Sequence, residues 1–457
     1  MTGADFGHGQ YQGGRPWRNT RGAGNGPVGH PRDEQNLREL RSNQTPGTSR
    51  VINTMKYVIV LPDGAADEPL HALDGRTPLD AARTPGMDWV AEHGQIGRVV
   101  TVPDGFTPAT DVATLSLFGY DPHIYYAGRA PIEAVAQGLS AAPDELIFRC
   151  NFVTIQNGRM RDFTAGHIRQ DEADRLIADL NALAADGEPV LTGCAFHTGV
   201  SYRNLMILSD AADIDIRCAP PHDIPDQPIS QHLPYGSGAD RIRAIMQRAG
   251  ELLRDHEINR RRHAEGRPPV TDIWLWGQGQ PVRMPSITDQ FGVSGVAITG
   301  VDIIRGLALM MGLELVDVPG ATGYLDTDYA GKGAAAVGAV ADHDLVVVHV
   351  EAPDEAGHLG DPAAKVQAIE AIDAHIVQPL LETLSHQRRW RIMIAPDHPT
   401  PCTTTAHDAT PPPYCIAGFD LAASGARGFS EREADVRGTV VSPGHNLLPT
   451  FIDARAD

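Results

Sequence analysis

The sequence predicts an α/β protein with a mainly parallel sheet flanked by helices. Three apolar runs carry that expectation: Lys56-Tyr-Val-Ile-Val-Leu-Pro62, Asp344-Leu-Val-Val-Val-His-Val-Glu-Ala-Pro353 and Ile392-Met-Ile-Ala-Pro396. Each reads as a buried strand, and helical stretches alternate with them, as in covered parallel sheets. Each also leads into an acidic residue: Asp63, Asp354 and Asp397. A carboxylate placed after a buried strand stands at the carboxyl edge of the sheet, where open α/β sheets bind their ligands.

In chain order, residues 1–54 are rich in Gly, Arg, Asn and Gln and lack a periodic apolar pattern. Such a segment cannot bury enough apolar surface to offset its chain entropy, so disorder is expected. Its seven Arg against four acidic residues would make at most a weak basic arm, and Met55 is an alternative start. Helices are expected at Pro78–Pro85 and Gly86–His93, and a strand at Gly97–Val102. The alternation returns in strands at Gly292–Ile298, Leu345–Val350, Arg391–Ala395 and Tyr414–Ala417, with a long helical stretch at 361–386. Between them the texture changes. Strand-like runs at Leu146–Val153 and Asn204–Leu208 mix with Pro-rich loops and a helix near 239–256. The expected organisation is a split catalytic domain (55–120 and 281–457) interrupted by an α+β cap (121–280).

Composition narrows the function. The chain has 457 residues, 42% of them apolar, enough for two or three domains. A formal net charge of −20 argues against general nucleic-acid binding. It also means that an anionic substrate needs a local basic pocket. Five scattered cysteines (Cys150, Cys194, Cys218, Cys402, Cys415) with no Cys-x-x-Cys read as reduced thiols of a cytoplasmic protein. No apolar run reaches about 18 residues, so no membrane span is expected, and no basic stretch leads into an apolar core near the start, so a secretory signal is not expected.

Seven residues form a constellation suited to two divalent metals: Asp63, Thr110, Asp354, His358, Asp397, His398 and His407. Asp63, Thr110, Asp397 and His398 could hold one ion, and Asp354, His358 and His407 the other. Mixed carboxylate and imidazole ligands suit Mn²⁺ first, with Zn²⁺, Mg²⁺ or Co²⁺ as alternatives. Asp354 and His358 are spaced i, i+4 and would share one helix face, although a tight loop at Gly357 would serve as well. Alone, each residue has an ordinary structural role: a strand-end Asp caps helices and a lone His packs in cores. The Asp397-His398 pair with His407 nine residues on is harder to account for that way. Thr110, in Pro108-Ala-Thr-Asp-Val-Ala-Thr-Leu-Ser-Leu-Phe-Gly119, is expected to cap the following helix. That role is compatible with service as a metal-activated nucleophile at a helix N-terminus.

The same segments carry a resemblance. Leu61-Pro-Asp-Gly64, Pro108–Pro122, Gly128-Arg-Ala-Pro-Ile-Glu-Ala134, Asp354-Glu-Ala-Gly-His358 and Asp397-His-Pro-Thr-Pro401 resemble the archaeal-type cofactor-independent phosphoglycerate mutases of the alkaline phosphatase superfamily. Further matches are Gly199-Val-Ser-Tyr-Arg203, Pro221-His-Asp-Ile224, Trp274-Leu-Trp-Gly-Gln-Gly279, Gly300–Gly306 and Gly323–Asp328. Together they span about 55–457. The resemblance implies an alkaline-phosphatase-like core and interconversion of 3-phosphoglycerate and 2-phosphoglycerate without a bisphosphoglycerate cofactor. It also implies a covalent phosphoryl intermediate, here on Thr110, where the family normally carries serine. The substrate is then a small phosphorylated acid, and Arg129, Arg203 and Lys332 are candidates to bind its anionic groups. His167 reads as a hydrogen-bonding residue of the cap, and Arg260-Arg-Arg262 as a solvated helix face. Alternatives on the same site are a homoserine-kinase-like phosphotransferase, for which no Gly-x-x-x-x-Gly-Lys-Ser/Thr loop is visible, and a phosphomonoesterase. A non-catalytic metal-binding protein is the remaining alternative, and the complete ligand set speaks against it.

Overall fold

A computed structural model describes residues 55–453; the disorder expected over 1–54 falls outside them. The first strand, β1 (Lys56–Pro62), has both faces covered. Val58 and Val60 enter one apolar core, and Tyr57, Ile59 and Leu61 enter another. Successive side chains of a strand point to opposite faces, so a run apolar at every position belongs between two helical layers. β2 (Gln95–Val99) follows the helix Pro85–His93.

The chain then builds a second sheet. Its strands are β3 (Leu146–Gln156), β4 (Arg159–Asp162), β5 (Cys194–Val200) and β6 (Arg203–Leu208). After a short ribbon of β7 (Asp215–Arg217) and β8 (Tyr235–Ser237), β9 (Asp272–Gly279) completes it by pairing with β3. All pairings here are antiparallel. The helix Ala239–Arg254 packs on this sheet through Ile242, Ile245, Met246, Ala249 and Leu253, the i, i+3, i+4 stripe of an amphipathic helix.

The following helix, Glu257–Ala264, departs from expectation. Ile258, Asn259 and Arg262 form its inward face, so Arg262 is fully buried rather than solvated. Its Nη1 donates to Glu172 Oε2 at 2.5 Å, and its Nε donates to the Pro268 carbonyl at 2.8 Å. Arg267 also pairs with Glu172.

The first sheet resumes with β10 (Gly295–Ile298), β11 (Glu314–Leu315), β12 (Leu345–Val350), β13 (Trp390–Ile394), β14 (Pro413–Gly418) and β15 (Thr439–Val441). The eight strands lie in the order β11-β10-β12-β1-β13-β14-β2-β15. Every pairing is parallel except those of β14, antiparallel to both β13 and β2. β13 reaches β14 through the loop 395–412 with no helical crossover, a connection that antiparallel neighbours permit. The long helical stretch spans Pro362–Ile372 and Gln378–Ser385, joined by a π-helical turn at Asp373–Val377. Pro379 lacks an N–H just beyond that turn, a common cause of such a break.

Register places the site. β1 lies between β12 and β13, with Pro62 opposite Val350 and Val60 opposite both Val348 and Ile394. The residues that leave these three neighbouring strands therefore converge on one short stretch of the carboxyl edge.

Candidate active site

Asp63 leaves β1 fully buried. Its Oδ2 lies 2.7 Å from His349 Nε2 and its Oδ1 lies 3.6 Å from His398 Nε2. Asp397 leaves β13 and accepts through Oδ1 from the backbone N–H of Gly64 (3.1 Å) and of His398 (2.9 Å), while its Oδ2 has no hydrogen-bond partner. Gly64 has φ +59°, and a Cβ there would lie 2.6 Å from Asp354 Oδ1. Only glycine lets the loop after β1 come this close to the next carboxylate. Asp354 and His358 occupy the helix Ala352–His358, so the helical alternative holds and the tight loop does not.

Thr110 is the first residue of the helix Thr110–Leu117, every residue of which is buried. Here the structure corrects the capping expectation. Ala109 is the N-cap, and no side chain caps this end. The Thr110 hydroxyl instead lies 3.3 Å from His398 Nε2.

The second cluster gathers Asp354, His358 and His407, with one ligand atom of each within 4.8 Å of the others. His358 Nδ1 lies 2.9 Å from the Thr405 carbonyl oxygen, and His407 Nδ1 lies 3.3 Å from that of Pro108. A carbonyl only accepts, so each Nδ1 carries the proton and each Nε2 presents a lone pair. The two Nε2 atoms are 2.9 Å apart and lie 3.2 and 3.4 Å from the Asp354 oxygens. Lone pairs this close repel unless a proton or a cation stands between them. The hydrogen bond to Asp354 pushes His358 up to about 9, a measure of how strongly this point draws positive charge. Burial opposes ionisation of Asp354, but the bonds to His358 and His407 outweigh it and hold the carboxyl well below its ordinary value.

The first cluster has the opposite balance. Burial, then repulsion from Asp397, Glu351 and Asp354, pushes Asp63 well above the carboxylate range. Its Oδ1 has no hydrogen-bond partner. Unpartnered buried carboxylate oxygens beside imidazole lone pairs fit divalent cations, which remove the repulsion that otherwise protonates such groups.

Residues that sequence reasoning passed over complete the surroundings. His349 orients Asp63, and its Nδ1 lies 3.1 Å from Thr299 Oγ1. Thr400 Oγ1 donates to Asp354 Oδ1 at 2.5 Å and lies 3.3 Å from His398 Nδ1, so it links the two clusters. Supporting hydrogen bonds of this kind fix ligand orientation and tautomer. Burial, then repulsion from Asp354, raises Glu351 to about 8. His349 was readable as the polar interruption of the run Leu345–Val350, and Glu351 as its acidic terminus. Thr400 gave no signal beyond proximity to His398.

Lys332 is fully buried, with Nζ 3.2 Å from the His349 carbonyl oxygen. Burial lowers it to about 8 against the pull of Glu351. Arg129 and Arg203 line a cavity of about 300 Å³ together with Arg149, another residue not anticipated. Arg149 is buried on β3, stacks over Trp276 with Cζ 4.3 Å from the ring centroid, and approaches Glu133 at 2.9 Å. Burial, with Arg129 and Arg203 nearby, pulls it down to about 10 against the attraction of Glu133. His167 has φ +46°; its backbone N–H donates to Thr164 Oγ1, and its ring meets Tyr202 edge-on. It holds a turn within the second-sheet segment.

Fold and site define the class: an α/β enzyme with a buried carboxylate–imidazole centre at the carboxyl edge of its sheet. Comparison with known proteins makes this particular. A model of the family described as 2,3-bisphosphoglycerate-independent phosphoglycerate mutase matches residues 91–259. The mutase of that name from Methanothrix thermoacetophila is 45% identical over 399 residues, covering 87% of this chain and all of the relative. A Geobacter sulfurreducens protein described as a probable mutase of the same kind is 42% identical over 404 residues, with 87% and 100% covered. Among solved structures, a Pyrococcus horikoshii protein superposes with a TM-score of 0.72 at 29% identity, covering 88% of this chain and 97% of the other. The cofactor-independent phosphoglycerate mutase of Thermoplasma acidophilum gives 0.60 at 25% identity, with 88% and 99% covered. The chain belongs to the 2,3-bisphosphoglycerate-independent phosphoglycerate mutase family.

Proposed function

We propose that the protein interconverts 3-phosphoglycerate and 2-phosphoglycerate through a phosphothreonine on Thr110. The observation that carries this is the Thr110 hydroxyl, set 3.3 Å from His398 Nε2 at the start of a buried helix and beside two clusters of metal-type ligands. Asp63, Thr110, Asp397 and His398 would hold one divalent cation, and Asp354, His358 and His407 another, with Mn²⁺ the best match. Such ions, when bound, neutralise phosphoryl charge and lower the proton affinity of a hydroxyl. Thr110 Oγ1 takes the phosphoryl group from one glycerate oxygen, the glycerate turns, and the group returns to the other oxygen. The backbone N–H groups at the start of the helix Thr110–Leu117 favour a bound phosphate. Arg129 and Arg203 hold the anionic acid; Lys332, expected to join them, is fully buried and donates to the His349 carbonyl oxygen instead. The test is an assay of the purified protein with 3-phosphoglycerate coupled through enolase. Turnover with neither bisphosphoglycerate nor ATP is expected; release of inorganic phosphate alone, or a strict ATP requirement, would refute the mutase reading.

Metal dependence gives a direct check. Chelation should abolish turnover, Mn²⁺ should restore it best, and elemental analysis should find two ions per chain. Full activity of metal-stripped protein without added ion would contradict the assignment.

The segment 121–280 acts as a cap in this reading. It shares the walls of the arginine-lined cavity with the catalytic part, and the turning intermediate must be kept from water. Saturating substrate is expected to protect the connections near 120 and near 280 from limited proteolysis. An unchanged digestion pattern in active enzyme would exclude closure.

A further inference from the structure

Beside the arginine-lined cavity lies a larger one of about 760 Å³, and Arg129 lines both. One wall comes from the first-sheet part: Pro108 and Ala109 immediately before Thr110, with His358 and His407. The other comes from the second-sheet segment and includes His222, Asp223, Trp276 and Gln278. In-line phosphoryl transfer places the departing oxygen opposite the attacking one. Thr110 is buried directly behind Pro108 and Ala109 of the first wall, so a glycerate oxygen in line with it lies on the side of the second. A departing alkoxide needs a proton there, and the second oxygen must lose one there when the group returns.

We infer that His222 serves as the general acid and base for the two glycerate oxygens in turn. The inference rests on the mutase reading and adds to it the residue that handles the substrate protons. His222 occupies the short turn Pro221–Asp223, half exposed to the cavity, with its ring against Trp276 at a centroid distance of 5.1 Å. Several other ionisable groups of the two cavities already have partners. Asp111 accepts from the Tyr126 hydroxyl at 2.9 Å, Glu133 faces Arg149, and His358 and His407 belong to the ligand cluster. The charged groups facing His222 are Asp223 on its own turn, Arg149 from β3 and Arg129 from the helix Arg129–Ala136. Burial lowers its proton affinity; Asp223 opposes that, and the two arginines add to it. A phosphorylated acid brings negative charge into this space, which favours the imidazolium when it is needed.

The steps balance. As the bond from Thr110 Oγ1 to phosphorus forms, the bond from phosphorus to the first glycerate oxygen breaks. The His222 ring N–H gives its proton to that oxygen. After the glycerate turns, the neutral ring takes the proton of the second hydroxyl as its oxygen attacks the phosphothreonine. Thr110 Oγ1 then departs as the alkoxide it was at the start, its own proton having left to solvent before the transfer, and His222 ends protonated, as it began. One residue suffices because the glycerate, not the protein, presents each oxygen to the same place.

The test uses His222→Ala in the full-length, metal-loaded protein. Mutase turnover should fall by about 10²- to 10⁴-fold, the scale of general acid–base catalysis. Free imidazole should restore part of it, because the side chain is half exposed. Transfer from p-nitrophenyl phosphate, whose leaving group needs no proton, should change little. The near-neutral limb of the kcat profile should vanish with the side chain. Mutase turnover unchanged in the variant, or a loss shared equally by p-nitrophenyl phosphate and insensitive to imidazole, would overturn the role of His222. Wild-type protein without mutase turnover would instead overturn the reading beneath it.

Discussion

Replacing Thr110 by alanine is expected to lower turnover by on the order of 10⁴-fold or more, the scale seen when a covalent nucleophile is deleted. The variant should stay folded. Thr110 caps nothing, because Ala109 is the N-cap and that helix end has no side-chain cap. The loss of stability should therefore stay below the roughly 1 kcal/mol that a true N-cap contributes. Asp63, Asp354, Asp397 and the three histidines all remain, so metal content should be little changed. Thr110→Ser keeps the hydroxyl and relaxes χ1, so it should remain active. Labelled substrate, acid quench and peptide mapping should place the phosphoryl group on Thr110. Label on Thr107 or Ser116, or a fully active alanine variant, would refute the nucleophile.

The second large effect concerns stability. Arg262→Ala should cost about 3–5 kcal/mol, because removing one partner of a buried ion pair strands the other charge. Glu172 is itself buried, and Arg262 is its only fully buried cation. Arg267, Arg169 and Arg261, all partly or largely exposed, also reach Glu172 and would compensate in part. The double variant Arg262→Met with Glu172→Leu removes both charges and should regain most of the loss. Urea unfolding followed through Trp274 and Trp276, which belong to the same core, measures both. A single variant as stable as the parent would show that the remaining arginines, Arg169, Arg261 and Arg267, satisfy Glu172.

The two predictions mark where the sequence could and could not be read. Asp63, Asp354 and Asp397 were legible because strand, edge and carboxylate follow one another along the chain, and parallel pairing then gathers them. His358 and His407 were legible through spacing to those carboxylates. The mainly parallel sheet followed from nearly continuous apolar runs; the reversed direction of β14 did not, because a strand buried on both faces reads the same in either direction. Arg262 was misread for a related reason. Three consecutive arginines look solvated, and only the packing of Ile258 and Asn259 shows which of them turns inward. Thr110 was misread as a cap because the local pattern fits one, whereas the helix begins one residue earlier than that reading needs, at Thr110 itself. Arg149 and His222 carry no linear mark of their surroundings. Their meaning comes from cavity walls assembled across distant segments.

The place of β1 between β12 and β13 has a consequence for biosynthesis. β1 emerges first from the ribosome, yet both its neighbours lie about 290 to 330 residues further on. At about 5–20 residues per second, that interval lasts on the order of 15–65 s. During it a largely apolar strand has neither edge paired, while the second-sheet segment has already been made and can collapse on its own core. A nascent chain arranged this way presents the same hazard as any exposed apolar strand. Its yield in a cell should therefore depend on holdase chaperones acting on the first strand, more than on the intrinsic folding speed of the finished sheet.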